Sequence, residues 1–343
     1  MSIADVARSA GVSQATVSRV INHVPGVSAK NIHLVQQAME HLGYTPPPPE
    51  RRPGRRSPPR NRIGVLGAIV LDGLYVHTPG VLAAHLRGME REAADHDCAL
   101  AFADVSDATR LPTILEGRQL VGGILLGSHA RSGVLAAIQH MPWVWLSSHS
   151  GPSGDSVLAG NLEIAEMATR YLVDRGHRHL AFLSVMSSYP AYPARAEAFR
   201  TAASRVGATA DVLLDQPQSD GGADMNLTLP ILRERVAGLV ARFVNLAPRP
   251  TGLFLPNDMM TAMVYPALMM CGLRPGEDVE IISCNNEEAY LVGLHPRPAT
   301  IDIGAELMGR RSVEQLIRKI RHPGETRQVH IAVSPVLIEP ERH

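Results

Sequence analysis

Residues 2–22 read Ser-Ile-Ala-Asp-Val-Ala-Arg-Ser-Ala-Gly-Val-Ser-Gln-Ala-Thr-Val-Ser-Arg-Val-Ile-Asn. Ser2 predicts an N-cap, with Asp5 three residues on in a capping-box arrangement. Ile3, Val6, Ala7 and Ala10 recur at helical spacing and form one apolar stripe. Gly11 ends that helix, because glycine tolerates a positive φ. Ser13 then caps a second helix, which turns Val17, Val20 and Ile21 inward. Gln14, Ala15, Thr16, Ser18, Arg19 and Asn22 stay outside, on a face without acidic residues. A short helix, a glycine turn and a second helix with a small polar first turn suit insertion into the DNA major groove. A third helix follows, capped by Ser28, with Ile32, Val35, Met39 and Leu42 as its expected core stripe and Gly43 as its stop. The plain alternative is an amphipathic three-helix bundle with no ligand.

The run from Val12 to Asn22 resembles the helix-turn-helix of the lactose-repressor (LacI/GalR) family of bacterial transcription regulators, whose pattern is V-S-x-x-T-V-S-R-V-x-N. By that resemblance Gln14, Ala15 and Arg19 stand where family members read bases. Ser13, Thr16, Ser18 and Asn22 stand mostly near phosphates. Side-chain chemistry agrees: glutamine can pair with adenine, arginine with guanine, and alanine can pack on a thymine methyl. So few readers per half-site imply a dimer on a near-palindromic double-stranded operator.

The net charge of the 343-residue chain is zero, which taken whole argues against nucleic acid. Its distribution reverses that conclusion. Residues 1–62 hold nine Arg or Lys against three acids, leaving 24 basic and 30 acidic groups beyond. A basic head on an acidic body is the footprint of a DNA binder with a regulatory domain. Cys98, Cys271 and Cys284 are widely spaced, each in or beside an apolar segment, and are expected as buried thiols in a reducing cytoplasm. No signal peptide or membrane-spanning run is read, so the protein is expected in the bacterial cytoplasm with the nucleoid, without a membrane partner.

Residues 46–60 read Pro-Pro-Pro-Pro-Glu-Arg-Arg-Pro-Gly-Arg-Arg-Ser-Pro-Pro-Arg, expected as polyproline II or disordered chain. In the resembled family this region begins Tyr-x-Pro-Asn and becomes a hinge helix on DNA, with a leucine wedged into the minor groove. Here Tyr44 and Pro46 match, but Pro47 replaces the asparagine, Glu50 the alanine, and Pro53 falls where the leucine would be. A proline in a helix interior costs about 3 kcal/mol, so the usual hinge helix is not expected. Arg51, Arg52, Arg55 and Arg56 then form either an arginine arm for the backbone or a narrow minor groove, or a solvated spacer.

From Ile63 onward short apolar runs alternate with amphipathic helices. Strands are expected at 63–70, 99–103, 121–126, 144–146, 180–183, 252–255 and 279–282. Helices are expected at 81–96, 164–175, 194–206, 259–271 and 306–320. Such alternation predicts parallel sheets in α/β layers, and its length suggests two lobes. This segment is similar to the family's two-lobed core, itself like periplasmic sugar-binding proteins (type I). The pieces that carry the likeness include Leu86-Arg87-Gly88-Met89-Glu90, Gly176-His177-Arg178-His179, Arg195, Asn257-Asp258 and Met308-Gly309-Arg310-Arg311. The implied organisation is an all-α helix-turn-helix head at 1–45, a linker at 46–61, and an effector-binding and dimerisation domain at 62–341. Its first lobe is expected at 62–158 plus 288–325, and its second at 159–287 plus the C-terminal strand.

The resemblance places Arg195 where the effector is typically held, and Asn257 and Asp258 at the cleft edge. Asn285 and Asn286 stand for two usual aspartates, and Gly160 and Ser147 for two more. Asp72 and His77 follow the first strand and are further candidates for polar contacts to an effector. The loss of carboxylates makes the cleft less suited to an amine or to dense sugar-hydroxyl pairing.

No catalytic residue is read. There is no phosphate loop, no dinucleotide fingerprint and no nucleophile elbow. His177 and His179 sit at a helix-to-strand turn and are expected to be structural, so no metal or cofactor is expected. Trp143 and Trp145 on one short strand are expected to pack. The chain is therefore expected to be no enzyme but a homodimeric repressor switched by a small effector, a sugar or related metabolite. A regulator with a degenerate cleft, answering to a protein partner or to nothing, is the second class. A solute-binding protein or enzyme with a vestigial head is the third. The C-terminus adds no heptad helix, which disfavours a tetramer.

Overall fold

The computed structural model describes residues 2–21, 27–46, 63–106, 111–117, 119–149, 151–215 and 228–340. The chain forms one unit over residues 1–61 and a second over 62–343. In the first, α1 (Ile3–Ala10), α2 (Gln14–Ile21) and α3 (Ala29–His41) enclose a small core of Val6, Ala7, Ala10, Val17, Val20, Ile21, Val35 and Ala38. Gly11 takes φ +63°, and its N–H closes the end of α1 on the Ala7 carbonyl. The Asp5 carboxylate accepts from both the backbone N–H and the hydroxyl of Ser2, at 3.0 and 2.9 Å, which holds its pKa below the usual carboxylate range.

One expected core residue is displaced. Ile32 is 36% exposed, and Ala38 takes the buried place. At 3.6 residues per turn Ile32 lies about 90° from the centre of a stripe made by Val35, Ala38 and Leu42. The small Ala38 is what meets the neighbouring helices.

In the second unit every expected strand and helix is present, with ends shifted by a few residues. The first sheet has the order β2 (Ala99–Asp104), β1 (Val65–Val70), β3 (Leu120–Leu126), β4 (Trp143–Leu146), β5 (Asp155–Ala159), β11 (His330–Val333), all parallel. The second has the order β7 (Thr209–Leu214), β6 (His179–Ser184), β8 (Gly252–Phe254), β9 (Glu280–Cys284), β10 (Ala299–Asp302), β12 (Val336–Ile338), with only β12 antiparallel. Each sheet therefore reverses its strand order beside its first strand, and in such sheets ligands collect at the carboxyl ends of the strands.

The lobe boundary differs from expectation. Residues 288–302 belong to the second lobe, because β10 extends the ladder of β9 with Ala299 opposite Ile282. The chain returns to the first lobe only at Gly304. There α12 (Ala305–Arg321) packs against α4 (Pro79–Asp95) and across β3, β4 and β5. The thiols also differ from expectation: Cys284 is buried, Cys98 half-buried and Cys271 exposed. Cys271 follows α10 (Asp258–Met270), where that helix reaches the surface. Among the described residues no helix is long and apolar enough to cross a membrane.

Candidate nucleic-acid interface and effector cleft

On the head, Gln14, Ala15 and Arg19 are exposed at the start and along the outer face of α2. The Ser13 hydroxyl accepts the Thr16 N–H at 3.1 Å and pairs with the Thr16 hydroxyl at 2.9 Å. Ser13 and Thr16 thus fix the N-terminal turn of α2, and Ser18 is half-buried. Helix α2 carries no acid, so its positive N-terminal end is offered to an anionic backbone without local repulsion. Asn22 and the linker arginines Arg51, Arg52, Arg55 and Arg56 lie outside the described residues.

In the second unit, residues that follow the strands of both sheets meet around a cavity of about 40 Å³. That is room for a few water molecules. Arg195, Ser147 and Asn285 line it. Arg195 projects from α8 (Ala191–Arg205) and is 4% exposed. Its Nε donates to Asn161 Oδ1 at 2.7 Å, and its Nη1 to the Pro256 carbonyl at 2.9 Å and to Cys284 Sγ at 3.5 Å. Burial pushes the Cys284 thiol up to about 11, so it stays protonated.

Ser147 and Asn285 follow β4 and β9 with φ of 110° and 103°, a left-handed conformation that costs a residue with a Cβ about 1–3 kcal/mol. Strain of this kind persists where the surroundings over-determine a position. Ser147 is held by a hydroxyl bond to Tyr189, and the Asn285 N–H by the Ile301 carbonyl at 2.8 Å.

Other candidates are engaged elsewhere. Asn257 caps α10 by accepting the Met260 N–H at 2.7 Å and donates to the Tyr192 hydroxyl at 2.7 Å. Asp72 accepts from the N–H and hydroxyl of Ser128 at 2.6 and 2.9 Å, tying the loop after β1 to the loop after β3. The His77 carbonyl accepts from the Tyr290 hydroxyl at 3.1 Å, and His77 lines a separate open groove beside Met259 and Met263 on α10. The cavity instead includes Tyr75, His85, Tyr189 and Tyr192, which sequence reasoning missed. For Tyr192 a signal existed: it stands three residues before Arg195, so the two share one helix face.

Asp258, the first residue of α10, is fully buried and does not line the cavity. Its Oδ1 accepts from Ser283 and Thr300 hydroxyls at 2.5 and 2.9 Å, and its Oδ2 from the Glu287 N–H at 2.6 Å. Burial outweighs these donors and raises its pKa to about 7. Between the unfolded value near 4 and about 7, the unfolded chain releases a proton that the folded chain keeps. Stability from this group therefore falls as pH rises through that window. Asp258→Asn is expected to lose ground to the wild type at pH 5 and gain on it by pH 8, by up to a few kcal/mol, in urea titrations at each pH. A constant difference across that range would contradict the assignment.

Glu287, after β9 in the second lobe, reaches across to the first. Its Oε1 accepts the Gly80 and Val81 N–H groups at 3.0 and 3.3 Å, capping the N-terminus of α4. Burial raises its pKa above the usual glutamate range. The Ser147–Tyr189 and Asn161–Ser148 bonds also cross between the lobes. Glu287→Ala is expected to cost about 1–2 kcal/mol, as a lost helix cap does, and to widen the cleft. Urea unfolding and the radius from small-angle scattering check the two effects, and an unchanged radius would show that Glu287 is no latch.

His177 Nδ1 pairs with Thr251 and His179 Nε2 with Asp211, at 2.9 and 2.7 Å, so these rings serve different neighbours. Trp145 is fully buried, with Trp143 edge-on to it at 6.1 Å. Among the described residues no group of His, Cys, Asp or Glu could hold a metal ion.

Against known proteins, residues 2–47 match the model of bacterial regulatory proteins, lacI family, and residues 169–340 match a periplasmic binding protein-like domain. The ribose operon repressor of Escherichia coli (strain K12) is 26% identical over 347 residues, covering 98% of this chain and 97% of its own. The HTH-type transcriptional repressor PurR of Pasteurella multocida (strain Pm70) is 27% identical over 351 residues, with 98% and 96% covered. Among solved structures, a complex of the transcriptional regulator CelR with cellobiose aligns with TM-score 0.66 at 20% identity, covering 98% of each chain. The lac repressor dimer bound to operator and the anti-inducer ONPF aligns with TM-score 0.62 at 21% identity, covering 99% of this chain and 98% of that one. With its helix-turn-helix head and its periplasmic-binding-protein-like body of two parallel sheets, the chain belongs to the lacI family of bacterial regulatory proteins.

Proposed function

We propose that this protein is a homodimeric transcriptional repressor that reads a near-palindromic operator with α2 and is controlled by a small molecule between its lobes. One observation carries the reading of the head. Gln14, Ala15 and Arg19 lie exposed on one acid-free helix, in a segment with nine basic residues against three acids. The relatives named above are repressors over nearly their whole lengths, which supports a repressor rather than an enzyme. Exposed Met269 and Met270 on α10 and nearby Val292 offer apolar surface to a second copy. A sugar is the effector class that the ribose operon repressor's name suggests. A cytoplasmic location beside the nucleoid goes with such a role.

Fluorescence anisotropy with the gene's own upstream DNA, titrated with salt and against scrambled DNA, tests this. A specific complex on the order of a thousandfold tighter than scrambled DNA is expected. Uniform weak binding with a steep salt slope would sink it. In the same assay, replacing Arg51, Arg52, Arg55 and Arg56 together by alanine is expected to lower the salt slope by up to about 0.9 for each phosphate no longer neutralised. An unchanged slope and affinity would leave the linker a spacer.

A further inference from the structure

We propose that the effector is an organic hydroxy acid, bound with its carboxylate on Arg195, and not a neutral sugar. This rests on the cleft being the effector site, as proposed above.

The argument begins with charge. The guanidinium of Arg195 is almost fully buried, and all its acceptors are neutral: an amide oxygen, a backbone carbonyl and a thiol. Among the described residues no carboxylate lines the cavity, and none forms an ion pair with Arg195. A buried cation without a counter-charge is costly, and an anionic ligand removes that cost on binding. The remaining Nη2 is the donor through which a planar carboxylate can be held in a charge-assisted bond.

A helix dipole adds to the same sign. Thr78 at the cap of α4, Asn161 at the start of α7 (Asn161–Asp174) and Ala191 at the start of α8 all line the cavity. Glu287 caps the end of α4 and Glu163 lies in the first turn of α7, so of these three N-termini the α8 end, with no acid in its first turn, adds uncompensated partial positive charge.

A second, independent observation points to a ligand. His85, on α4, lines the cavity at 2% exposure, and neither ring nitrogen has a hydrogen-bond partner among the described residues. Burial lowers its pKa to about 3, so the ring is neutral and offers one donor and one acceptor. Such a ring suits a hydroxyl. Tyr75 stands edge-on to it at 5.7 Å, and Tyr189 edge-on to Tyr192 at 4.8 Å, giving the ligand's carbon chain flat walls. A carboxylate for Arg195 and a hydroxyl for His85, on a short carbon chain, together describe a hydroxy acid.

The test uses matched pairs that differ only in the acid: L-lactate and propane-1,2-diol, D-gluconate and D-glucitol, D-glucuronate and D-glucose. Each is added at millimolar concentration and constant ionic strength to the full-length protein, with thermal shift and titration calorimetry as readouts. At least one acid is expected to raise Tm while its neutral partner does not. Arg195→Met is expected to weaken that binding at least about thirtyfold. Should Arg195→Met fail to fold, Arg195→Lys keeps the charge but loses the planar fork, and is expected to weaken the acid while still excluding the neutral partner. Binding of neutral members alone would overturn the proposal and leave the effector cleft standing. Equal stabilisation of wild type and the Arg195 variant by acids would overturn it by placing the anion elsewhere. No binding by any member would overturn it together with the effector reading.

Discussion

Gly309→Ala is expected to destabilise the second unit by about 3 kcal/mol or more, although it adds a single methyl group. A Cβ at Gly309 would lie 2.1 Å from the His85 carbonyl oxygen, and one at Gly88 would lie 1.9 Å from the Glu306 carbonyl oxygen. The obstacle in each case is backbone of the facing helix, which no rotamer change can move. Helices α4 and α12 meet at these two glycines, so relief requires the helices to separate along the face that carries Met89 and Leu316. The same separation would shift His85, and with it the floor of the cleft. Gly238→Ala on α9 (Leu229–Val244) is the control, since nothing lies within 4 Å of a Cβ there. Alanine at that helical position is expected to stabilise by about 0.5–1 kcal/mol. Urea midpoints of the two variants decide the matter, and a Gly309→Ala variant as stable as Gly238→Ala would refute the close approach.

Arg19→Ala is expected to carry the largest effect on DNA. An arginine paired with guanine is worth about 1–3 kcal/mol of discrimination, and a dimer loses the pair in both half-sites. Affinity for the specific site is therefore expected to fall by about thirtyfold to twenty-thousandfold, with scrambled DNA little affected. Discrimination at one base pair per half-site should relax, while the salt slope moves little. Arg19 is exposed and forms no ion pair among the described residues, so its removal is not expected to unfold the head. A uniform loss on all DNA, with a salt slope lower by about one, would instead make Arg19 a phosphate contact. Gln14→Ala is a milder companion with the same signature at a different base.

Much of this was legible in the chain itself, and the head most of all. Its caps at Ser2, Ser13 and Ser28, its turn at Gly11 and its buried stripes are local features within about one helix turn of each other. Only the rotation of α3 escaped, because Ile32 and Ala38 are both apolar and packing alone chose the smaller one. In the body, the central strands are covered on both faces and read as continuous apolar runs such as 65–70 and 120–126. Outer strands β7 and β11 are half-exposed and include polar residues, and β12 is only three residues long, so no such run marks them.

The cleft divides differently. Arg195, Ser147 and Asn285 were named from resemblance and do line one cavity, whereas Asn257 and Asp72 have their polar atoms engaged in a helix cap and a loop tie. Tyr75, His85 and Tyr189 carry no local signature, since an aromatic or a histidine at helical or loop spacing looks like any core residue. By itself the sequence determined a DNA-reading head, a basic-to-acidic charge split and alternating β/α layers, because caps, periodicity and charge act over a few neighbouring residues. The tertiary structure alone decided which lobe holds residues 288–302, and that Gly88 and Gly309 each face the backbone of the opposite helix. It alone left Arg195 buried among neutral acceptors and His85 without a partner. Those facts depend on residues well apart in the chain, such as Arg195 and Cys284, 89 positions from each other, or Gly88 and the backbone of Glu306 on the facing helix. Strand order and helix packing bring them together, and no local pattern records them.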